Sequence, residues 1–377
     1  MPSLDLAMPL ALFIVVMVAM LLYKRGEGKL MATVEKKEFR SRDIILLVGL
    51  MSIIVSVLAY TALLNPGAIV ENVLLVLFLT SYSTLLFTFS YVFSNVPQTR
   101  VMLLSVGFGL VSAITGIICL FPTLQDSFTV VRIAAFFGLA IFCFGVAFYE
   151  QGKNVIAKTR WYLAVQPPAI FLFLFIFFNF IHNSGTASIW APFLMDVFGF
   201  TFAILIILYL SSLFTWKTVG LFAVLLTTMD IILVIGTPAM LAAANTFTGL
   251  GLPVLVYLPQ IPLEATAQGL AFRGLGLGDF FFAGVLAVQT FKKFEKKTAF
   301  ISVVAMTVAF GIWEAFLRDI ISWLTPIVGR NIGGFPGTLM IISGWAPIVA
   351  WKLLTMRGKK VKVLVAAEPL QTPKEQS

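Results

Sequence analysis

Gly276-Leu277-Gly278-Asp279 sets an acid among glycines inside an apolar run, Gly274 to Phe291, and the run before it, Thr218 to Leu241, carries a second lone acid, Asp230. A carboxylate at bilayer depth is costly and is retained where it functions. Two of them on consecutive apolar runs point to one shared site. The rest of the chain is of the same kind: its 377 residues are 60% hydrophobic and 11% charged, with a mean hydropathy of +1.01. That composition excludes a water-soluble globule.

Stretches of about 18 or more apolar residues suffice to cross about 30 Å of hydrocarbon. Eleven are readable. The first seven are Leu6 to Tyr23, Ile44 to Leu64, Val73 to Phe93, Val101 to Phe121, Val130 to Phe148, Trp161 to Ile181 and Ile189 to Phe214. Thr218 to Leu241, Gly274 to Phe291, Phe300 to Leu324 and Phe335 to Leu354 complete the set. The fold class expected is an all-α polytopic membrane protein of about eleven transmembrane helices. The first run lacks a basic segment before it and a small-residue cleavage site, so it is expected to stay as a span. Cys119 and Cys143 fall inside apolar runs and imply no disulfide framework.

The net charge of +9 is not the footprint of a nucleic-acid binder, because the basic residues sit in short loops beside the runs. Every second loop is basic. Lys24, Arg25, Lys29, Lys36, Lys37, Arg40 and Arg42 follow the first run, and the same side then carries Arg100, Lys153, Lys158, Arg160, Lys217, Lys292, Lys293, Lys296, Lys297 and Lys352. Glu71, Asp126 and Glu264 lie in the intervening loops. The positive-inside rule then places the N-terminus outside and the C-terminus in the cytosol, which requires an odd number of spans. The implied location is the cell membrane, or the endoplasmic reticulum membrane in a eukaryote.

Orientation gives the two acids a depth. Asp230 comes thirteen residues after Lys217, and Asp279 thirteen before Lys292. At about 1.5 Å per residue both carboxylates lie roughly 20 Å along their helices from the basic boundary. Antiparallel neighbours would bring them level. Two like charges close together in a low dielectric cannot both ionise, so such a pair shares a proton. One member can then take a proton from water while the other donates to a peptide carbonyl, which is the logic of aspartic proteases. Gly276 and Gly278 remove side-chain bulk beside Asp279, admitting either a partner helix or an extended substrate backbone.

These residues resemble the intramembrane aspartyl proteases, the family of signal peptide peptidase, presenilin and their archaeal homologues. The family's Gly-x-Gly-Asp motif is matched by Gly276, Leu277, Gly278 and Asp279, and Phe280-Phe281-Phe282 is similar to the aromatic continuation seen there. The family's other catalytic acid, one span earlier, is matched by Asp230, preceded here by Met229 in place of the usual tyrosine. Its Pro-Ala-Leu motif at the start of the last span is represented by Pro336-Gly337-Thr338, which shares the proline alone. The resemblance implies a nine-helix core within 69–356, an additional hairpin within 1–68 and a basic, then disordered, tail over 357–377. It also implies catalysis by Asp230 and Asp279, substrate binding by Gly276, Leu277, Gly278, Pro336, Gly337 and Thr338, and no cofactor or metal. In this orientation the likeness is to signal peptide peptidase rather than presenilin. The partners implied are the bilayer and single-span peptides with a cytosolic N-terminus, such as signal-peptide remnants; homo-oligomerisation stays open.

A helix must be unwound before it is cut, and the connector between the acidic runs offers replacement hydrogen-bond partners. Pro238 is expected to end or bend the helix of Asp230. The proline-bounded stretch Val254-Leu255-Val256-Tyr257-Leu258 reads either as an extended connector or as an edge strand that pairs with substrate through residues such as Val254 and Val256. Glu314 and Arg318, four apart, are expected to pair along one helical face. His182 is the only histidine, and Asn183-Ser184 beside it reads as a polar turn. Two other functions remain in view. Prepilin or preflagellin peptidases use a related motif with fewer spans and a basic residue after the acid, absent at Phe280 to Phe282. A proton- or cation-coupled secondary transporter would use intramembrane acids with inverted repeats, which the sequence does not display.

Overall fold

The structure is a computed structural model that describes residues 5–33, 39–63, 68–93, 97–120, 129–152, 161–181, 190–237, 239–263, 265–266, 269–330, 332 and 334–366. The apolar runs fold as helices. These are α1 (Ala7–Thr33), α2 (Ser41–Leu63), α3 (Ala68–Val92), α4 (Gln98–Ile118), α5 (Thr129–Gln151) and α6 (Trp161–Ile176), the last continuing into a wider π turn over Phe177–Ile181. A second π turn, Trp190–Leu194, leads into α7 (Met195–Leu213), and α8 (Trp216–Ile231) ends in a third, Ile232–Gly236. After α9 (Ala239–Gly249) come four short strands, β1 (Leu255–Pro259), β2 (Ala265–Thr266), β3 (Gly269–Leu270) and β4 (Phe272–Gly276). The chain finishes with α10 (Leu277–Lys293), α11 (Lys296–Ala315), α12 (Leu317–Val328) and α13 (Gly337–Ala366).

Among the described residues, nine helices are long and apolar enough to cross a membrane. The chain is therefore a mostly helical polytopic membrane protein. Two expected spans change shape. The run from Gly274 starts as strand, and its helix begins only at Leu277, because Gly274 to Gly276 pair with β1. The run from Phe300 to Leu324 is broken at Phe316, whose backbone leaves the helical region at φ −99°, ψ 5°.

α10 is the axis of the bundle. Every residue from Phe280 to Thr290 is buried, as an all-round apolar helix requires when neighbours enclose it. Those neighbours are α1, α7, α8, α11 and α13. α1, expected as half of an additional hairpin, thus packs directly on the helix that carries Asp279. Three polar ties set the depth of α10. Gln289 Nε2 donates to the carbonyls of Ser211 (2.9 Å) and Phe214 (2.8 Å) at the end of α7. Lys292 Nζ donates to the same Ser211 carbonyl at 2.9 Å, a cation at a helix C-terminus where the dipole favours it. From α13, Trp345 Nε1 donates to Thr290 Oγ1 at 2.9 Å.

Small residues let the helices close up, as in other membrane bundles. A Cβ at Gly284 of α10 would strike the Ile207 side chain of α7, and one at Gly344 of α13 would strike the Ala305 backbone carbonyl of α11. Backbone cannot rotate aside, so overpacking at Gly344 is the more costly of the two. Gly344→Ala is expected to destabilise the protein by about 1–3 kcal/mol, read as a lower unfolding temperature in detergent. Gly220→Ala, where an added Cβ meets nothing within 4 Å, should leave that temperature unchanged or raise it.

Candidate active site

Asp230 lies in the last turn of α8, just before the π turn that ends the helix. The chain then becomes extended at Thr237 (φ −139°, ψ 157°), as a residue before proline must; Pro238 itself lies outside the described residues. Asp279 is the third residue of α10, where the positive end of a helix favours an acid. Gly276 caps that helix in extended conformation (φ −69°, ψ 144°). The two helices adjoin through aromatic rings: Phe222 of α8 packs on Phe281 (centroids 5.7 Å) and Phe282 (6.1 Å) of α10.

The start of α13 joins the two acids. Thr338 donates to Asp230 Oδ2 twice, from its backbone N–H at 3.2 Å and its hydroxyl at 2.6 Å. Its neighbour Gly337 abuts the other carboxylate, since a Cβ there would collide with Asp279. Consecutive residues of Pro336-Gly337-Thr338 therefore touch Asp230 and Asp279. Asp230 is only 6% exposed. Asp279 is partly exposed, and Gly278 beside it is exposed with nothing within 4 Å of its Cβ direction. One acid is thus clamped by Thr338, and the other is partly exposed beside a bare glycine. Asp279 also lies near Gly276, whose Cβ direction points within 3.5 Å of Oδ2.

Of the two readings of Val254 to Leu258, the strand is the one that forms, starting one residue after the first valine. β1 pairs antiparallel with β4, Leu255 opposite Gly276 and Pro259 opposite Phe272. Val254 precedes it, and its carbonyl accepts from Leu277 N–H at 2.9 Å. Val256 is fully buried, against Gly199 of α7. The outer edge of β1 is occupied too: Tyr257 N–H donates to Asp196 Oδ1 of α7 at 2.6 Å. The bonds Leu277 N–H to Val254 and Gln260 N–H to Ala271 fix the register. Alternation then turns the backbone groups of Phe272, Gly274 and Gly276 away from β1. Among the described residues no strand pairs with that outer edge of β4.

Glu314 does not pair with Arg318. It accepts from Arg273 Nη1 of β4 at 3.1 Å, and Arg318 is exposed. Arg273 Nε also stands 3.9 Å from Asp5 Oδ2. Asp5 Oδ1 in turn accepts the N–H groups of Ala7 and Ile261, each at 3.0 Å. This cluster ties β4 to the head of α1 and to α11. Sequence reading missed it, and missed Asp196. The signal for Asp196 was present, since it too is a lone acid in an apolar run, Ile189 to Phe214. His182, Asn183 and Ser184 lie outside the described residues.

No protein-family profile matches the chain, and neither does any curated protein or solved structure.

The Arg273 cluster has a direct consequence for stability. Arg273→Met leaves the buried acids Asp5 and Glu314 without their shared cation, an imbalance worth about 3–5 kcal/mol. Thermal unfolding in detergent is expected to shift down accordingly, with faster hydrogen exchange over 255–276.

Proposed function

We propose that this protein is an intramembrane aspartyl endopeptidase that hydrolyses transmembrane helices with water activated between Asp230 and Asp279. The observation that carries this reading is the contact of consecutive residues, Gly337 and Thr338, with two acids from different helices. Both Thr338 donations go to Oδ2, so Oδ1 is the Asp230 oxygen available to a water.

In the reaction, the ionised carboxylate of the pair removes a proton from water, and the oxygen adds to the scissile carbonyl carbon. The protonated carboxyl gives its proton to the carbonyl oxygen. The resulting gem-diol collapses as the C–N bond breaks, with a proton delivered to the leaving nitrogen. Either acid can take either role. The partly exposed Asp279 and the bare Gly278 fit the approach of an extended peptide. The outward N–H and C=O groups of β4 would replace the hydrogen bonds that an unwinding substrate loses, so the augmenting edge is β4 rather than Val254 to Leu258. Eleven spans, an outside N-terminus and a cytosolic C-terminus complete the topology proposed. Substrates would be single-span helices with a cytosolic N-terminus.

The purified protein in proteoliposomes is expected to cut a single-span reporter peptide. Asp230→Asn or Asp279→Asn should lower that rate by roughly 10²–10⁴-fold; unchanged cleavage in either variant removes the assignment. Thr338→Ser should keep activity within a few-fold. Thr338→Val, which loses a hydrogen bond to a charged acceptor, should lose about tenfold or more.

A further inference from the structure

α12 has a different character from every helix that crosses the membrane. It is twelve residues long, about 18 Å, too short for the hydrocarbon core. Projected at 100° per residue, Trp323, Ile327, Ile320, Leu324, Leu317, Val328 and Ile321 form one continuous face, and Arg318, Thr325, Ser322, Pro326 and Asp319 form the other. None of its residues is buried, and Trp323 and Ile327 are 67% and 63% exposed.

Pro326 supplies an independent clue. It cannot donate to the Ser322 carbonyl four residues earlier, and a carbonyl left open in hydrocarbon is costly. Pro326 and Ser322 both lie exposed on the polar face, where water or headgroups satisfy that carbonyl. Depth agrees. α11 runs twenty residues from Lys296, about 30 Å, so α12 begins where α11 reaches the opposite boundary. The φ of +72° at Gly329 then stops α12 in a left-handed cap. The next residue, Arg330, donates through Nη2 to the carbonyls of Ile235 (2.6 Å) and Val234 (3.4 Å) in the π turn after Asp230. Ile235 lies eighteen residues beyond Lys217, about 27 Å along the helix, near the same boundary.

From these observations we propose that α12 lies in the membrane–water boundary farther from the lysine-rich loops, with the Trp323 and Ile327 face in the acyl region of the lipid. Arg330 fastens this surface helix to the end of the Asp230 helix. The partner is the phospholipid bilayer itself, engaged by an amphipathic helix with an interfacial tryptophan. The inference does not depend on the protein being a protease.

The test uses the full chain with Cys119→Ala and Cys143→Ala, reconstituted in phosphatidylcholine–phosphatidylglycerol nanodiscs and spin-labelled singly through Trp323→Cys, Ile327→Cys, Asp319→Cys or Ser322→Cys. Oxygen should relax labels 323 and 327 more than a water-soluble nickel chelate does, and the order should reverse at 319 and 322. A uniform preference at all four sites, for either relaxant, overturns the placement, as does shielding of all four from both. Arg330→Gln should raise hydrogen exchange over 232–236 by tenfold or more while the label pattern persists. Unchanged exchange there overturns the fastening.

Discussion

Asp230 can sit where it does because Thr338 gives it two hydrogen bonds. On insertion scales an acid at the bilayer centre costs about 2.5–3.5 kcal/mol. A hydrogen bond to a charged group returns about 1.5–3 kcal/mol, so two donors on Oδ2 are of the size needed to offset that cost. The same backbone turn brings Gly337 against Asp279, and any bulkier residue would push the carboxylate aside. Three helices consequently meet at one level. Asp230 is thirteen residues from Lys217, Asp279 thirteen from Lys292 and Thr338 fourteen from Lys352. The matched spacing and the observed contacts are two expressions of one constraint.

That level is held from both ends. Toward the lysine-rich boundary, Gln289 and Lys292 bond the end of α7, and Trp345 bonds Thr290. Toward the other boundary, Arg330 grips the π turn after Asp230, while Arg273 joins β4 to Asp5 and Glu314. Between these clamps α10 is sheathed in apolar side chains from Phe280 to Thr290, with the bare Gly278 at its start. The hydrolysis proposed above needs both acids held in place, and the Thr338 donors and the helix ties supply that for Asp230 and α10.

Much of this was legible in the sequence, for reasons that can be named. The apolar runs are taken up mainly by helix, nine of them among the described residues long and apolar enough to cross a membrane, because hydrocarbon leaves an isolated backbone few alternatives. Asp230 and Asp279 stood out because the cost of an intramembrane acid does not depend on fold. Pro336-Gly337-Thr338 was found through a family motif sharing a single residue; its importance lies in the backbone turn and the Thr338 hydroxyl, which sequence identity does not measure. The partner of Glu314 was not legible, because spacing along one helix shows Arg318 and cannot show Arg273 arriving on a strand. The break at Phe316 was hidden for a similar reason: an amphipathic helix placed after a span prolongs the apolar run.

The central claim is that both carboxylates close around one tetrahedral centre. Binding of an apolar peptide carrying a secondary hydroxyl in place of the scissile carbonyl tests it most directly, because such a group mimics the gem-diol. The account predicts that calorimetry in detergent finds tight binding to the native protein, weakened about 100-fold or more when either aspartate becomes asparagine or when the hydroxyl is removed. Equal binding by the native protein, both asparagine variants and the hydroxyl-free peptide would contradict it.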